Sequence, residues 1–431
     1  MPRLSLFLPP FASDYSGACS VLFPFDCMVV ILDAGCCTRN YAEYDEPRWT
    51  KERKPAFSAQ IRTLDTVMGD EAGIISQVLE AARELEPACV ALVGTPVPAI
   101  VGMDLEGMAR DIEREGGIPC MGIATNGFDT YERGVSRTLR MLVDRFALPA
   151  ASAQLGGGGA CAMRTALGCA LRVNILGVTL LDFSDASIAD KQRALLAKEG
   201  IEVVFDGISR FDTADIAAMA HADASIAATW GGLASARALR DGAGVPYVVG
   251  APIDAESAAA VAQRIRHVVR SADRGGEPPA FRTEPPASAR TREEDAAGSP
   301  REHAAVADPP SPKAVLVGDQ VMMGSLRDTL LRMEGFSFDE GDLAVATLFS
   351  SESALTRVGD KVFAEDSDLD AYLKRHPGIL VVGDPLLARL PSLVEGRLVE
   401  AVHPAVSGQM FSKSETNGKE LLDEIRLRAG A

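Results

Sequence analysis

Positive charge is in short supply in this sequence. The 431 residues include 43 Lys and Arg against 60 Asp and Glu, which gives a formal net charge of −17 at pH 7. Sequence-independent binding to nucleic acid needs a basic face that displaces counterions, and an anionic membrane surface attracts proteins through a similar face. The charge balance therefore argues against both kinds of partner and leaves proteins and small ligands.

The chain also lacks a long apolar run. No stretch approaches the roughly 20 uncharged apolar residues of a membrane-spanning helix. The segment 1–25 is interrupted by Pro9, Pro10 and Asp14 and has only Arg3 as a positive residue, which is not the pattern of a signal peptide. We therefore expect a cytoplasmic protein.

No Cys-x-x-Cys pair occurs, although the chain has eight cysteines, all in its first 169 residues: Cys19, Cys27, Cys36, Cys37, Cys89, Cys120, Cys161 and Cys169. In a chain of this length they do not indicate a disulfide framework, and the close four-ligand spacing of structural zinc is missing. Free cysteine commonly packs as a small core residue, which remains the alternative interpretation for most of them.

Three catalytic motifs are missing as well. The sequence has no GxxxxGK[ST] loop, so we do not expect an ATP site of that kind in this chain. It has no G-x-S-x-G elbow and no G-x-G-x-x-G after a strand, which leaves little support for a hydrolase or a dinucleotide-dependent dehydrogenase. The four glycines at 156–159 lack the Lys-Ser/Thr ending of a phosphate loop and are interpreted as part of a linker.

Most of the chain alternates short apolar runs with segments of helical periodicity, which is typical of parallel sheets covered on both faces. The predicted fold class is α/β, with three Rossmann-like doubly wound domains. We place the first domain at 1–150, a Gly-rich connection at 151–171, the second domain at 172–272 and the third at 313–431. The segment between them, 273–312, has almost no large apolar residues and is predicted to be a flexible linker.

In the first domain, the loops that leave three predicted strands should emerge on one edge of the sheet, where any site of this domain is expected. The strands are Cys27–Asp33, Cys89–Gly94 and Pro119–Ala124, and the loops are 34–37, 94–96 and 125–127. A helix is predicted before the first strand, at Asp14–Phe23, with Asp14 or Ser13 as its cap.

The first of these loops carries adjacent cysteines, Cys36 and Cys37, after Gly35. Glycine permits a close backbone approach, and a thiolate at the carboxyl end of a strand is a candidate iron ligand. Two adjacent residues are not expected to direct both sulfurs at one metal, and a partly buried thiol pair is the alternative interpretation. Surface or helix-end positions are expected for four of the five histidines: His221, His267, His303 and His376.

Taken in order, several segments resemble nitrogenase component 1 proteins. The resemblance in the first domain runs through PPFASDYSGACSVLF, ILDAGCCTRNY, VGTPVPAIVGMDLEGMA and GIPCMGIATNGFDTYERG. It continues through VNILGVTLLDF and GVPYVVGAP in the second domain, and through AVLVGDQVMMGSLRDTL and ILVVGDPLL in the third. The superfamily includes molybdenum nitrogenase subunits, dark-operative protochlorophyllide reductase and the coenzyme F430-forming reductase.

In that superfamily, three loop cysteines of each subunit typically hold an iron-sulfur cluster at a subunit interface. The second of these positions falls on Cys36 here, whereas Pro10 and Phe11 occupy the first and Pro96 occupies the third. The reduced set implies a four-iron cluster shared with a homologous subunit, with Cys36 as the metal ligand and Cys37 or Cys19 as further candidates.

The resemblance also bears on a second cofactor site of the catalytic nitrogenase subunit. The cysteine that holds the iron-molybdenum cofactor there aligns near Ala228. His403 resembles the cofactor histidine, although the spacing to Ser407-Gly408 differs by about one residue. A helix-cap or surface histidine is the alternative interpretation of His403.

The function implied by the resemblance is that of one subunit in a two-component oxidoreductase. Such a subunit receives electrons from a P-loop [4Fe-4S] ATPase reductase and reduces a substrate held between its domains. Loss of the cofactor cysteine makes dinitrogen a poor choice of substrate and favours an organic molecule. The alternatives are a scaffold for metallocofactor assembly and a cluster-free partner subunit of the same superfamily.

Overall fold

The described part of the chain folds into three parallel β-sheets, each formed by one segment of the chain. The computed structural model describes residues 5–52, 54, 56–62, 71–153, 170–272, 311–408 and 418–429. The sheets and their covering helices confirm the predicted α/β fold class, while the exact domain boundaries stay predictions. The proposed linker lies outside the described residues, except for 311 and 312.

The first sheet has the strand order β2-β1-β3-β4 with all strands parallel. Its strands are β1 Met28–Ile31, β2 Ala56–Ser58, β3 Val90–Val93 and β4 Cys120–Ile123. Its helices are α1 Asp14–Leu22, α2 Cys36–Asn40, α3 Glu71–Leu85, α4 Pro96–Val101, α5 Leu105–Gly116, α6 Tyr131–Leu142 and α7 Leu148–Ala153. A π-helical turn, Val143–Ala147, joins α6 to α7.

The second sheet has the order β6-β5-β7-β8 and is again parallel throughout. Its strands are β5 Leu171–Leu176, β6 Ile201–Phe205, β7 Ala224–Ala227 and β8 Tyr247–Val249. Its helices are α8 Ile188–Lys198, α9 Thr213–Ala218, α10 Leu233–Ala243 and α11 Ala255–Ala272.

The third sheet has five parallel strands in the order β11-β10-β9-β12-β13. The strands are β9 Ala314–Val317, β10 Leu343–Thr347, β11 Lys361–Val362, β12 Leu380–Gly383 and β13 Leu398–Glu400. The helices are α12 Gln320–Arg332, α13 Asp366–Arg375, α14 Pro404–Ser407 and α15 Gly418–Ala429. None of the helices in the described ranges has both the length and the apolar composition needed to cross a membrane.

One hydrophobic core connects the inner faces of all three sheets. Alternate residues of each strand point to opposite faces. In β1, for example, Val29 and Ile31 face this shared core, whereas Met28 and Val30 face the core beneath α3 and α5. The shared inner core brings the carboxyl ends of strands from different sheets towards one another, where ligands bind in open α/β proteins.

Helices α1 and α6 cross at backbone contact. A Cβ atom on Gly17 would overlap the carbonyl oxygen of Tyr131, and a Cβ atom on Gly134 would overlap the carbonyl oxygen of Asp14. Backbone hydrogen bonds fix the crossing at one end, since Tyr131 N donates to Ala12 O at 3.0 Å. The position of Tyr131, the first residue of α6, is therefore set by this contact.

Candidate functional site

The three loops predicted to share one edge of the first sheet lie side by side there. Thr95 Oγ1 donates to the carbonyl oxygen of Leu32 at 2.7 Å, which joins the loop after β3 to the end of β1. Thr125 Oγ1 donates to the carbonyl oxygen of Gly94, also at 2.7 Å. The prediction of a common edge is confirmed.

Asp14 ties helix α1 to this edge and does not cap its own helix. Its carboxylate accepts hydrogen bonds from Asn126 N at 2.8 Å and Gly127 N at 2.7 Å. Ser13 occupies the N-cap position without a side-chain cap bond, so the predicted capping is wrong. Burial raises the pKa of Asp14, and the two backbone donors oppose that rise. The carboxylate is used to hold the loop after β4 instead.

Asp33 fixes the cysteine loop. It is buried and accepts hydrogen bonds from Thr38 N at 2.8 Å, Thr38 Oγ1 at 3.0 Å and Ser58 Oγ at 2.6 Å. These bonds anchor the first turn of α2 to the edge strand β2. Gly35 precedes the helix with a φ of 101°, a conformation that favours glycine.

Cys36 and Cys37 open helix α2 with their sulfurs on the same side. Cys36 is exposed and Cys37 half-buried, and the two Sγ atoms are 4.0 Å apart. A carboxylate oxygen of Asp33 lies within 4.8 Å of both sulfurs. The expectation that adjacent cysteines do not direct both sulfurs at one metal is wrong, because the two sulfurs and one Asp33 oxygen all lie within 4.8 Å of one another.

The spacing of the two sulfurs bears on which metal they could hold. Two thiolates on one tetrahedral ion with bonds of about 2.3 Å lie about 3.8 Å apart. In an iron-sulfur cluster, by contrast, each iron takes its own thiolate.

The two thiols also differ in how easily they ionise. Burial, and after it the neighbouring Cys36, raise the pKa of Cys37 to about 12. Of the pair, Cys36 is the more accessible ligand.

The other proposed ligand positions on this edge offer no donor next to Cys36. Cys19 is buried in the shared core on α1 and is not part of the group formed by Asp33 and the two loop thiols. Pro96 begins α4, and the ring of Phe11 packs against Phe349 with centroids 5.4 Å apart. Cys27, Cys89 and Cys120 are buried, and Cys161 and Cys169 lie outside the described residues.

A cavity of about 180 Å³ opens where the second and third sheets meet. Its polar lining includes Asp182, which follows β5, Asp319, which follows β9, and His403, which follows β13. The remaining wall is largely apolar and includes Phe183, Ile188, Ile253, Val317, Met322, Met323, Leu326 and Leu421. This is the location at the carboxyl ends of parallel strands where small ligands are expected.

A buried hydrogen-bond chain links this cavity to all three sheets. His403 Nε2 lies 3.0 Å from the hydroxyl oxygen of Tyr131, and that hydroxyl donates to Asp182 Oδ1 at 2.6 Å. Asp182 Oδ2 accepts from the backbone N and the hydroxyl of Thr179, at 2.8 and 2.9 Å. Tyr131 begins α6, the helix that follows β4. Tyr131, Asp182 and His403 therefore come from three different predicted domains.

Burial changes the protonation of these groups. Desolvation raises the pKa of Asp182 to about 7, and the nearby Asp319 adds to the rise while the Tyr131 hydroxyl opposes it. Desolvation also raises the pKa of Asp319 to about 6. It lowers the pKa of His403 to about 4, so the imidazole is neutral at pH 7. A buried carboxyl with a pKa near 7 can both give and take a proton under neutral conditions.

His403 is not a surface residue, because only 7% of it is exposed. It occupies the N-cap position of α14, and its backbone N donates to Asp384 at 2.9 Å. His221 and His267 are exposed and His376 is the C-cap residue of α13, as predicted, whereas His303 lies outside the described residues.

Sequence reasoning missed Tyr131, Asp182 and Asp319 as site residues. The available signal was that Asp319 follows the apolar run of β9 directly, as VLVGDQ, and that Asp182 stands in the loop after β5.

Comparisons with known proteins agree with the fold. A family model described as nitrogenase component 1 type oxidoreductase matches residues 13–334. A solved structure titled "Nitrogenase Cp1 at pH 6.5" superimposes with a TM-score of 0.63 at 12% identity, covering 100% of this chain and 93% of the other. A second, "Nitrogenase Cp1 at pH 5", gives a TM-score of 0.47 at 11% identity over 83% of this chain and 70% of the other. No curated protein matches.

Proposed function

The chain belongs to the nitrogenase component 1 type oxidoreductase family, and from that premise we propose that it is one subunit of a two-component oxidoreductase. In this proposal an ATP-dependent iron-sulfur reductase delivers electrons to it. The electrons reduce an organic substrate bound in the cavity between the second and third sheets. A homologous subunit completes the complex.

The observation that carries the proposal is the buried acid group beside the cavity. Reduction of an unsaturated bond consumes protons together with electrons, so the site needs a proton donor that works near neutral pH. Asp182 lines the cavity and has a pKa of about 7 because of its burial. Asp319 lines the same cavity from the third sheet.

The hydrogen-bond chain supports proton donation from Asp182. After the proton has left, the carboxylate is held by the hydroxyl of Tyr131 and by two donors of Thr179. The Tyr131 hydroxyl donates its proton to Asp182, so its oxygen must be the acceptor in the contact with His403 Nε2. That contact requires the His403 tautomer with a proton on Nε2. The neutral imidazole thus orients the hydroxyl without adding a charge.

The cavity lining indicates the class of substrate. Apolar side chains such as Ile253, Met322 and Leu326 face it, and a volume of about 180 Å³ suits a small molecule. A mostly apolar wall with a few polar groups is usual for organic ligands. We infer a small unsaturated organic substrate whose polar end lies near Asp182 and Asp319.

Electron entry is assigned to the edge of the first sheet that carries Cys36. The described residues of one chain do not provide the set of thiolates that a cluster needs, so a cluster held by this chain alone does not fit. One exposed thiol at the end of a strand does fit as a single ligand to a cluster shared with a second subunit. Such a cluster supplies one-electron transfer when bound. Cys36 and Tyr131 both follow strands of the first sheet and therefore lie towards the same edge.

We expect Cys36→Ala to lose most of the iron that the wild-type complex retains when it is purified anaerobically with its partner subunit. The measurements are iron per chain and the electron paramagnetic resonance signal, which should appear on addition of the reductase with MgATP. Cys120→Ala is the matched control, because Cys120 begins β4 and so lies at the opposite edge of the same sheet.

Equal iron in the wild type and Cys36→Ala would contradict the role of Cys36. A wild-type complex that contains no iron after anaerobic purification would contradict the electron-transfer proposal as a whole. Intact folding of each variant is checked by circular dichroism, so that loss of iron is not confused with loss of structure.

A further inference from the structure

The loop after β1 and the first turn of α2 bring three possible metal ligands together. They are Asp33, Cys36 and Cys37, and one carboxylate oxygen and the two Sγ atoms all lie within 4.8 Å of one another. Within the described ranges this is the one group of three histidine, cysteine or carboxylate ligands that is close enough to hold an ion. All three side chains belong to one chain, so the group needs no partner.

The distance between the two sulfurs suits a single ion. Cys36 Sγ and Cys37 Sγ are 4.0 Å apart. A tetrahedral zinc ion with bonds of about 2.3 Å to both sulfurs requires about 3.8 Å, so a change of about 0.2 Å is enough. Cys36 is exposed and Cys37 is half-buried, so an ion can reach the pair from solvent.

Asp33 is held in place as a metal-bound carboxylate usually is. Its Oδ1 accepts from Thr38 Oγ1 and Ser58 Oγ, and its Oδ2 accepts from Thr38 N. A carboxylate has about four acceptor positions, so one remains on Oδ2. Hydrogen bonds of this kind commonly fix the carboxylates that bind metals. Tetrahedral coordination places oxygen and sulfur about 3.6 Å apart, so a closing movement of about 1 Å completes the group.

We propose that Asp33, Cys36 and Cys37 bind a single divalent cation with the ligand preferences of Zn²⁺, and that water occupies the fourth position. Thiolates select such ions over hard cations such as Mg²⁺, which prefer oxygen ligands. The two thiols release their protons to solvent when the ion binds. The exposed side of Cys36 leaves the fourth position open to solvent.

This single ion differs from the shared cluster of the proposed function in what it requires. The cluster needs thiolates from a second subunit, whereas the ion takes all its protein ligands from one chain. Cys36 is a ligand in both, so the two exclude each other and the ion belongs to the chain without its partner. The inference therefore goes beyond the oxidoreductase proposal and does not depend on it.

The test is titration of the reduced, metal-free full chain with Co²⁺ and then with Zn²⁺, without a partner subunit or a reductase. We expect one ion per chain and a thiolate-to-cobalt charge-transfer absorption, which Zn²⁺ abolishes and excess Mg²⁺ leaves unchanged. Cys36→Ala and Cys37→Ala should each bind Zn²⁺ at least tenfold more weakly, measured by competition with a chromogenic chelator. Cys120→Ala is the matched control, because this buried cysteine on β4 lies outside the group, and it should bind like the wild type.

The third ligand is tested with Asp33→Asn. This variant keeps both thiols, so the charge-transfer absorption should remain at saturating Co²⁺, while the affinity for Zn²⁺ should fall at least tenfold. Circular dichroism checks that the variant is folded. Unchanged Zn²⁺ affinity in folded Asp33→Asn would contradict the three-ligand site.

Three further results would overturn the proposal. The first is a wild type that gives no charge-transfer absorption with Co²⁺. The second is displacement of the bound ion by excess Mg²⁺, because that indicates binding to surface carboxylates. The third is Cys37→Ala binding Zn²⁺ as tightly as the wild type, because one thiol would then be sufficient. If Cys37→Ala does not fold, Cys37→Ser takes its place and the same tenfold loss is required.

Discussion

Gly134→Ala is expected to lower the free energy of unfolding by about 3 kcal/mol or more, which lies at the upper end of what overpacking costs. The added methyl group would overlap the carbonyl oxygen of Asp14 at the crossing of α1 and α6. Asp14 cannot move away easily, because its N donates to Asp129 O at 2.9 Å and its carboxylate holds the loop after β4. Urea unfolding at pH 7 measures the loss.

Gly324→Ala is the control for that prediction. Gly324 lies inside helix α12, and an added Cβ there would meet no atom within 4 Å. Alanine is favoured over glycine within a helix by about 1 kcal/mol, so this variant should be as stable as the wild type or more stable. Equal effects of the two substitutions would show that the helix crossing is not as tight as the structure indicates.

The crossing of α1 and α6 also has a functional consequence. It sets the position of Tyr131, whose hydroxyl reaches Asp182 in the second segment and His403 in the third. A shift of α6 that relieves the overlap at Gly134 would lengthen both contacts. Gly134→Ala protein that still folds is therefore expected to have longer contacts from Tyr131 to Asp182 and His403 as well as lower stability.

The central strands could be predicted from the sequence because each is buried on both faces. Runs such as VALV in β3 and LVVG in β12 are fully buried, and a continuous apolar run is what that position requires. The edge strand β4 has such a run as well, but the shortest edge strand could not be predicted in this way. Strand β11 is only Lys361 and Val362, both exposed, and its two side chains form no pattern that distinguishes a strand from a loop.

The site was only partly predictable for a related reason. The loops at the edge of the first sheet follow from strand order, so the location of Cys36 and Cys37 could be predicted. Tyr131, Asp182 and His403 are far apart in the sequence, and no periodic pattern links them. Their contacts arise where three sheets share one core, which is a property of tertiary packing. The direction of the two cysteine sulfurs depends on the first turn of α2 and on Asp33, which spacing alone does not reveal.

Asp182→Asn is expected to change how stability depends on pH. Burial raises the pKa of Asp182 from 3.8 to about 7, so the folded chain holds its proton more tightly than the unfolded chain. The contribution of the Asp182 carboxyl to the free energy of unfolding is fully present below pH 4 and is lost as the pH rises through 7. At about 1.4 kcal/mol for each tenfold change in proton affinity, the loss is about 4 kcal/mol. Because Asp182 is 1% exposed, water does little to screen it.

Asparagine can replace the aspartic acid without breaking the hydrogen-bond chain. Its side-chain oxygen can accept from both donors of Thr179, and its amide can donate to the oxygen of Tyr131, whose hydroxyl then donates to His403 Nε2. The variant and the wild type should therefore be similarly stable at pH 4, whereas at pH 8 the variant should have the higher free energy of unfolding, by up to about 4 kcal/mol. Urea unfolding across this pH range measures the difference.

Comparison of the two curves isolates Asp182 from the other buried groups. Burial lowers the pKa of His403 to about 4, so the contribution of the neutral imidazole to the free energy of unfolding is lost as the pH falls from 6.5 towards 4. This pH dependence is opposite in direction to that of Asp182, and His403 is present in both proteins. Asp319, with a pKa raised to about 6, is also present in both, and its repulsion with the Asp182 carboxylate is part of the difference that Asp182→Asn removes. Asp190→Asn, at an exposed position on α8, controls for the removal of one negative charge. If the Asp182→Asn and wild-type curves stay parallel from pH 4 to pH 8, Asp182 does not hold a proton near neutral pH, and another group must supply protons to the cavity.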